Sequence, residues 1–343
     1  ASRDLEVLQS VTDEHIREAK RLLELGFCTC SLEQGVENLY ILIHLTAGEE
    51  SAVVEIRNYH KNITRVEKNG KVLFQQERSC TEIAVKDDPD KALLNISDIL
   101  EFADDPGEET LELMEHQLKL NLGIAREGME HRYGAQVGRT LLRGIKSLNP
   151  DTARAAAKAY AAAGSDARMN GCAMPVVINA GSGNQGITCT MPVVTYAEEL
   201  GVTTEKLHRA MVLTNLIALH QKRYIGNLSA YCGAVSAGTA AACGIAYLHG
   251  EGYDVIGRTI INALGNTGGI VCDGAKASCA AKIASAVEAG ILGYEMSKRG
   301  KVFAFGEGIV EGDYEQTIRN FGRLAKEGMK DTDIEILNIM IGK

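Results

Sequence analysis

The sequence predicts an α+β protein, a small unit of helix and antiparallel strands followed by a large, mainly helical domain. Apolar residues alternate with a period of two before about residue 92 and recur with a helical period beyond Ser97. Three long stretches also carry no Asp, Glu, Lys, Arg or His, a composition suited to deeply buried helices of small residues. The division is drawn at 1–92 for the small α+β unit and 93–343 for the helical domain.

In the first unit Ile16, Ala19, Leu22 and Leu23 mark one face of a helix over Thr12–Leu25. Leu39–Leu45, Ala52–Tyr59, Ile63–Glu67 and Lys71–Gln75 read as strands, joined by turn chemistry at Thr46–Glu50 and Asn69–Gly70. In the second unit Glu108–Met129, Ala135–Ser147, Asp151–Ala163, Glu205–Tyr224, Ser278–Gly290 and Asp313–Glu327 read as helices. Asn149-Pro150-Asp151 is a helix start. The uncharged stretches are Met169–Ala197, Ile225–Leu248 and Thr259–Cys272, and the helical domain is expected to bury all three. The second is long enough to cross a bilayer. Its Gly, Ser, Thr, Asn and Cys content makes it an interior helix instead, with no membrane partner.

Composition narrows the function. With 343 residues, 45% hydrophobic and 24% charged, the chain suits a soluble globular protein with two cores. A net charge of −9 with no block of Lys and Arg argues against a nucleic-acid partner. The opening ASRDLEVL has no apolar leader segment and no initiator Met, so it reads as an interior start in a cytoplasmic protein. Nine cysteines without a signal peptide argue for buried thiols or metal ligands rather than a disulfide framework.

Three motifs can carry chemistry. Asn179-Ala-Gly-Ser-Gly-Asn-Gln-Gly186 is a glycine- and amide-rich loop inside an uncharged run. Its uncovered N–H groups, with Ser182, Gly183, Asn184, Gln185 and Gly186, suit a bound carboxylate, against the plainer reading of a polar connection. It is neither a Walker loop nor a dinucleotide fingerprint. The second motif is Cys232, Cys272 and Cys279, where a helical seven-residue step would return Cys279 to the face of Cys272. Three thiolates suit an iron–sulfur cluster with one open iron, and zinc competes for them. The third is Gly164-Ser-Asp-Ala-Arg-Met169, where Arg168 either pairs with Asp166 or offers a fork to a substrate carboxylate. Cys28 and Cys30 read as one face of a strand or loop, Cys243 as core, and His131, His208, His220 and His249 as surface or capping residues.

The succession SDARM, NAGSGNQGITCTMPVV, LSAYCG and GGIVCDGAKASCAAKI resembles the L-cysteine desulfidase family, a relative of the alpha-type domain of bacterial iron–sulfur L-serine dehydratases. The resemblance implies a [4Fe–4S] cluster and conversion of L-cysteine to pyruvate, ammonia and hydrogen sulfide. It carries the cluster ligands onto Cys232 and Cys272, and from the serine dehydratases onto Cys279. Family members bear a Cys-Thr-Glu-Pro segment near their start that does not occur here. That departure sets the expectation that this chain lacks an intact cluster and keeps its three thiols neutral and convergent on one cavity. The rival readings are an iron–sulfur dehydratase of L-serine or another β-substituted amino acid, and a non-catalytic ligand-binding member. Pyridoxal phosphate is disfavoured because no lysine lies inside the uncharged stretches. Lys276 and Lys282 flank Cys279, and neither is identified as the general base. Partners are thus a small amino acid and, compatibly, further copies of the chain.

Overall fold

The computed structural model describes residues 10–37, 39–58, 62–76, 89–145, 152–226 and 228–342. It is α+β, a four-stranded antiparallel sheet followed by a helical domain. The chain divides into two compact units, Ala1–Ala84 with Ile334–Lys343, and Val85–Asp333. Cys80 and the Asn149-Pro150-Asp151 helix start lie outside the described residues.

In the first unit α1 (Asp13–Glu24) begins with a capping box, Thr12 and His15 each bonding the other's backbone N–H, with Asp13 and Glu14 in the first turn. Strands β1 (Tyr40–Ala47), β2 (Glu50–Arg57), β3 (Ile63–Lys68) and β4 (Lys71–Gln75) form a meander in that order. The β1–β2 turn is tighter than TAGEE suggests, because Ala47 pairs directly with Glu50 and leaves only Gly48 and Glu49 between the strands. Asn69 and Gly70 both take positive φ (51° and 75°), the geometry of a two-residue hairpin turn. Cys28 and Cys30 lie in an irregular segment after α1 and are exposed, so they are not a buried strand pair.

The second unit is helical: α2 (Ile96–Asp104), α3 (Glu108–Glu130), α4 (Val137–Ile145), α5 (Thr152–Met169), α6 (Gly183–Leu200), α7 (Thr204–Ile225), α8 (Gly233–Leu248), α9 (Tyr253–Thr267), α10 (Cys279–Lys298) and α11 (Tyr314–Arg323). A single π turn follows, then α12 (Lys330–Met340), whose residues from Ile334 onward belong to the first unit. The core is built on α8, which is buried along almost its whole length and packs against α6, α7, α9 and α10. Small residues permit this. A Cβ at Gly290 would lie 2.5 Å from the Gly238 carbonyl oxygen, and one at Gly238 would meet the Ala286 backbone at 2.7 Å. Helices α8 and α10 therefore touch backbone to backbone. No described helix is long and apolar enough to cross a membrane.

The helical parts of the three uncharged runs are largely buried, and so is the connection Ala230–Cys232, but the connections in the other two runs are partly exposed. Met174 and Ile178, between α5 and α6, and Val271, after α9, are exposed. A connection must leave its backbone polar groups within reach of water or a partner, which keeps it at the surface. Two of the four histidines also depart from expectation. His208 and His220 are buried, and His220 Nε2 lies 2.7 Å from Glu315 Oε2. Glu315 Oε1 in turn accepts the Ile96 N–H at 2.9 Å, so this carboxylate ties α2, α7 and α11 together. His131 does cap α3, and His249 closes α8 between the Tyr196 and Tyr294 rings.

Gly290→Ala should lower the stability of the helical unit by about 1–3 kcal/mol, the cost of overpacking a filled core. Leu292→Ala, on the exposed side of α10, should stay within about 0.5 kcal/mol. Chemical denaturation of both variants checks the contrast. Burial raises the Glu315 pKa, but the His220 bond and charge and the Ile96 N–H outweigh it and hold the carboxyl below its ordinary value. A depressed carboxyl stabilises the fold above its unfolded pKa and loses that contribution as pH falls through the folded one. Glu315→Gln should therefore cost about 2 kcal/mol near neutrality and progressively less in acid, read from denaturation midpoints across pH.

Candidate functional site

After α5 the chain runs irregularly to a tight turn at the head of α6. Asn179 and Ser182 face each other across it, their N–H groups donating to each other's carbonyls at 3.1 and 3.0 Å. Ala180 and Gly181 between them both take positive φ, 47° and 80°, a costly geometry for the alanine. Ser182 then caps α6, its Oγ accepting the Gln185 N–H at 3.4 Å. Gly183–Gly186 are thus the first helical turn rather than a loop. Their glycines serve close approach: a Cβ at Gly186 would lie 2.0 Å from the Val177 carbonyl oxygen, and one at Gly183 would lie 2.4 Å from Arg168 Nε.

A buried amide network, absent from the sequence-based reading, clamps this turn. Asn121 on α3 accepts the Val177 N–H at 2.9 Å and donates to the Val177 carbonyl at 3.2 Å, as a neighbouring strand would. Asn121 and Gln117 both donate to Thr190 Oγ1 on α6, at 3.0 and 2.9 Å. Asn215 on α7 donates to Gln117 Oε1 at 3.0 Å and accepts from Asn179 Nδ2 at 2.9 Å. The signal for it lies in α3, where Met114, Gln117, Asn121, Ile124 and Gly128 fall on one buried face. Amides interrupting an apolar stripe at helical spacing need partners inside the core.

The thiols come together by a different device. Residues 230–232 and 270–272 pair antiparallel for one rung, with Cys232 N–H donating to Ile270 O at 3.0 Å and Cys272 N–H to Ala230 O at 2.6 Å. Cys232 is the N-cap of α8, and its thiol acts on that of Cys272. That interaction chiefly draws Cys272 below the ordinary thiol range against the opposing effect of burial, helped by the Gly274 N–H and the Lys282 and Lys222 charges. The same interaction, with burial, pushes Cys232 up. Cys272 is therefore the more acidic thiol of the pair. Residues 273–278 are not helical, so the helical-step argument for Cys279 does not apply. Cys279 instead heads α10, and its Sγ donates to Gly274 O at 3.6 Å across a turn in which Gly274 has φ +91°.

These two halves meet. A Cβ at Gly233, the residue after Cys232, would fall 2.6 Å from the Gln185 amide carbon, so the first turns of α6 and α8 are in contact. Arg168 lies over Gly183 and donates to Asn184 Oδ1 at 3.4 Å. Burial lowers its pKa while Cys279 raises it. It does not pair with Asp166, whose Oδ2 accepts the Gly138 N–H at 3.0 Å and caps α4. Arg168 is thereby left without a carboxylate partner among the described residues. Lys222, at the end of α7, was missed in the sequence because it precedes the uncharged run. Burial pushes its ammonium down, and Cys272 and Cys232 oppose that. Lys282 is half-buried and ion-paired to Asp273, with Lys276 3.7 Å from the same carboxylate.

No group of three or more His, Cys, Asp or Glu side chains among the described residues stands ready to hold a metal ion. The donor chemistry still fits an iron–sulfur cluster, since Cys232, Cys272 and Cys279 are all thiols, Cys272 and Cys279 flank one short turn, and Cys232 lies on the segment paired with 270–272. Cys189 and Cys243 are fully buried inside α6 and α8, their thiols pushed up by burial, and take no part.

A family model described as serine dehydratase alpha chain matches residues 2–338. A UPF0597 protein of Lachnoclostridium phytofermentans is 48% identical over 343 residues, covering 99% of this chain and 80% of that relative. One from Finegoldia magna is 49% identical over 345 residues, covering 100% and 81%. A third, from Treponema denticola, is 40% identical over 343 residues, covering 99% and 79%.

In iron-free protein Cys272 should be the first of the core thiols alkylated by iodoacetamide at neutral pH. Removing the neighbouring thiol, as Cys232→Ala, should shift the Cys272 reaction profile to higher pH. Residue-resolved mass spectrometry across pH checks this, with Cys189 and Cys243 as unreactive controls.

Proposed function

The chain belongs to the serine dehydratase alpha chain family, and on that premise we propose that it is an iron–sulfur-dependent L-cysteine desulfidase, a carbon–sulfur lyase. The observation that carries the reading is the pair Cys232 and Cys272, brought together by the 230–232 and 270–272 backbone pairing beside the first turn of α6. Cys232, Cys272 and Cys279 would hold the [4Fe–4S] cluster. When bound, it would supply a Lewis-acidic iron for the departing sulfur. Lys222 and Lys282 offset the negative charge of the thiolates, a task that falls to cations where burial excludes water.

The substrate carboxylate fits the head of α6. The N–H groups of Gly183 and Asn184 have no acceptor within their helix, the helix end favours an anion, and the unpaired Arg168 fork stands beside them. With the carboxylate fixed there, Cα and Cβ are oriented and the β-substituent is directed toward the thiols. Loss of the α-proton with cleavage of the Cβ–S bond leaves sulfide and 2-aminoacrylate. Water converts the latter to pyruvate and ammonia, which requires nothing further from the protein. The same arrangement serves L-serine, with hydroxide or water leaving in place of sulfide, and the family description favours that as the second reading.

Anaerobic reconstitution with iron and sulfide should give a chain that binds both, with the charge-transfer absorption of thiolate-held iron. Cys232→Ala and Cys272→Ala should each lower the bound iron severalfold. The reconstituted protein should release pyruvate and sulfide from L-cysteine faster than pyruvate from L-serine. The reverse order of rates would favour the dehydratase, and no iron uptake would leave the non-catalytic reading.

A further inference from the structure

Gln185 is the third residue of α6 and is only 7% exposed. Its carboxamide is pressed against Gly233, at the contact between the first turns of α6 and α8. Its Oε1 accepts a hydrogen bond from no group among the described residues. Folding leaves few buried acceptors unmatched, because each forfeits its bonds to water at a cost comparable to a lost hydrogen bond. The orphan oxygen is also oddly placed for stability alone. Leucine or methionine would fill the same space with no polar atom to satisfy.

The surroundings define what could satisfy it. Two helix N-termini and the Arg168 guanidinium converge there, and each prefers an anion. Gln185 Oε1, at the contact of the two helix ends, asks instead for a donor, as does the Asn179 Oδ1 of the preceding turn. A ligand that meets both demands carries a carboxylate and, one carbon away, a cationic N–H group. Hydroxy acids and simple carboxylates supply the first and answer the second weakly or not at all.

We infer that Gln185 Oε1 is the acceptor for the α-ammonium group of the substrate, which makes the site selective for α-amino acids over carboxylates lacking the amine. The inference rests on the carboxylate position assigned at α6 and adds the second point of attachment. Gln185 thereby fixes rotation of the substrate about the axis from its carboxylate to Cα, and so decides which substituent faces the thiols. It is a binding residue and transfers no proton.

The test is isothermal titration of the purified full chain with L-cysteine and with 3-mercaptopropionate, its counterpart without the amine, using Gln185→Leu and Gln185→Glu alongside the unaltered protein. The unaltered chain should bind L-cysteine 10- to 100-fold more tightly, the range expected for a hydrogen bond to a charged group. Gln185→Leu should bring that ratio near one while leaving 3-mercaptopropionate within about twofold. Gln185→Glu, which keeps an acceptor oxygen and adds charge, should hold or widen the ratio. A Gln185→Leu protein that retains the full preference overturns the inference and leaves the carboxylate site standing. If neither compound binds the unaltered chain, the carboxylate site falls and takes this inference with it. Arg168→Met separates the two attachments further, because it should weaken both ligands alike.

Discussion

Backbone contact between α8 and α10 is the constraint on which the helical unit depends. At Gly238 and Gly290 there is no room for a Cβ, so dispersion between main chains replaces the usual interdigitation of large side chains. Short side chains lose little rotamer freedom on burial, which compensates for the modest apolar area each contributes. The chain has no Trp, and its fully buried residues are dominated by Ala, Ile and Val. One consequence is positional. Cys232 caps α8 and Cys279 opens α10, so the packing that brings these helices together also sets the frame on which the thiols are carried.

A core of this kind fixes helices but does not hold an irregular connection, and the amide network takes over that role. Asn121 treats Val177 as a strand partner, and the ring of Gln117, Thr190, Asn215 and Asn179 passes the restraint through α3, α6 and α7. Buried amides are tolerated only when nearly every donor and acceptor is matched, and a matched network locks one geometry in preference to others. The strained Ala180 is held in the turn that this network pins. The head of α6 is therefore preorganised, with its free N–H groups presented before any ligand arrives.

Electrostatics around the thiols follow from the same framework. Arg168 acts on Cys279, and Lys222 and Lys282 on Cys232 and Cys272, while the adjoining acid, Asp273, is taken up by Lys282 and Lys276. The local balance is positive although the whole chain carries −9. A site of that character favours bound anions and favours thiolates over thiols.

The sequence by itself determined the α+β order, the four strands, the Asn69–Gly70 hairpin and most of the helices, because each rests on local periodicity and turn chemistry within a few residues. It also marked the Ser182–Gly186 segment, Cys232 and Cys272, because uncharged runs make their polar and sulfur groups conspicuous, Arg168 because it stands just ahead of such a run, and Cys279 by its spacing from Cys272 and the family resemblance. It misjudged why those glycines are there and how Cys279 reaches its position. A glycine that admits a neighbouring backbone looks the same in sequence as one that turns the chain. Only the tertiary structure decided that the segments bearing Cys232 and Cys272 pair across a single antiparallel rung at Tyr231 and Val271, that His220 is buried against Glu315, and that Asn121 and Asn215 clamp the turn before α6. These relations join residues tens to about a hundred positions apart. They depend on which helix faces cross, and short-range patterns carry no record of that.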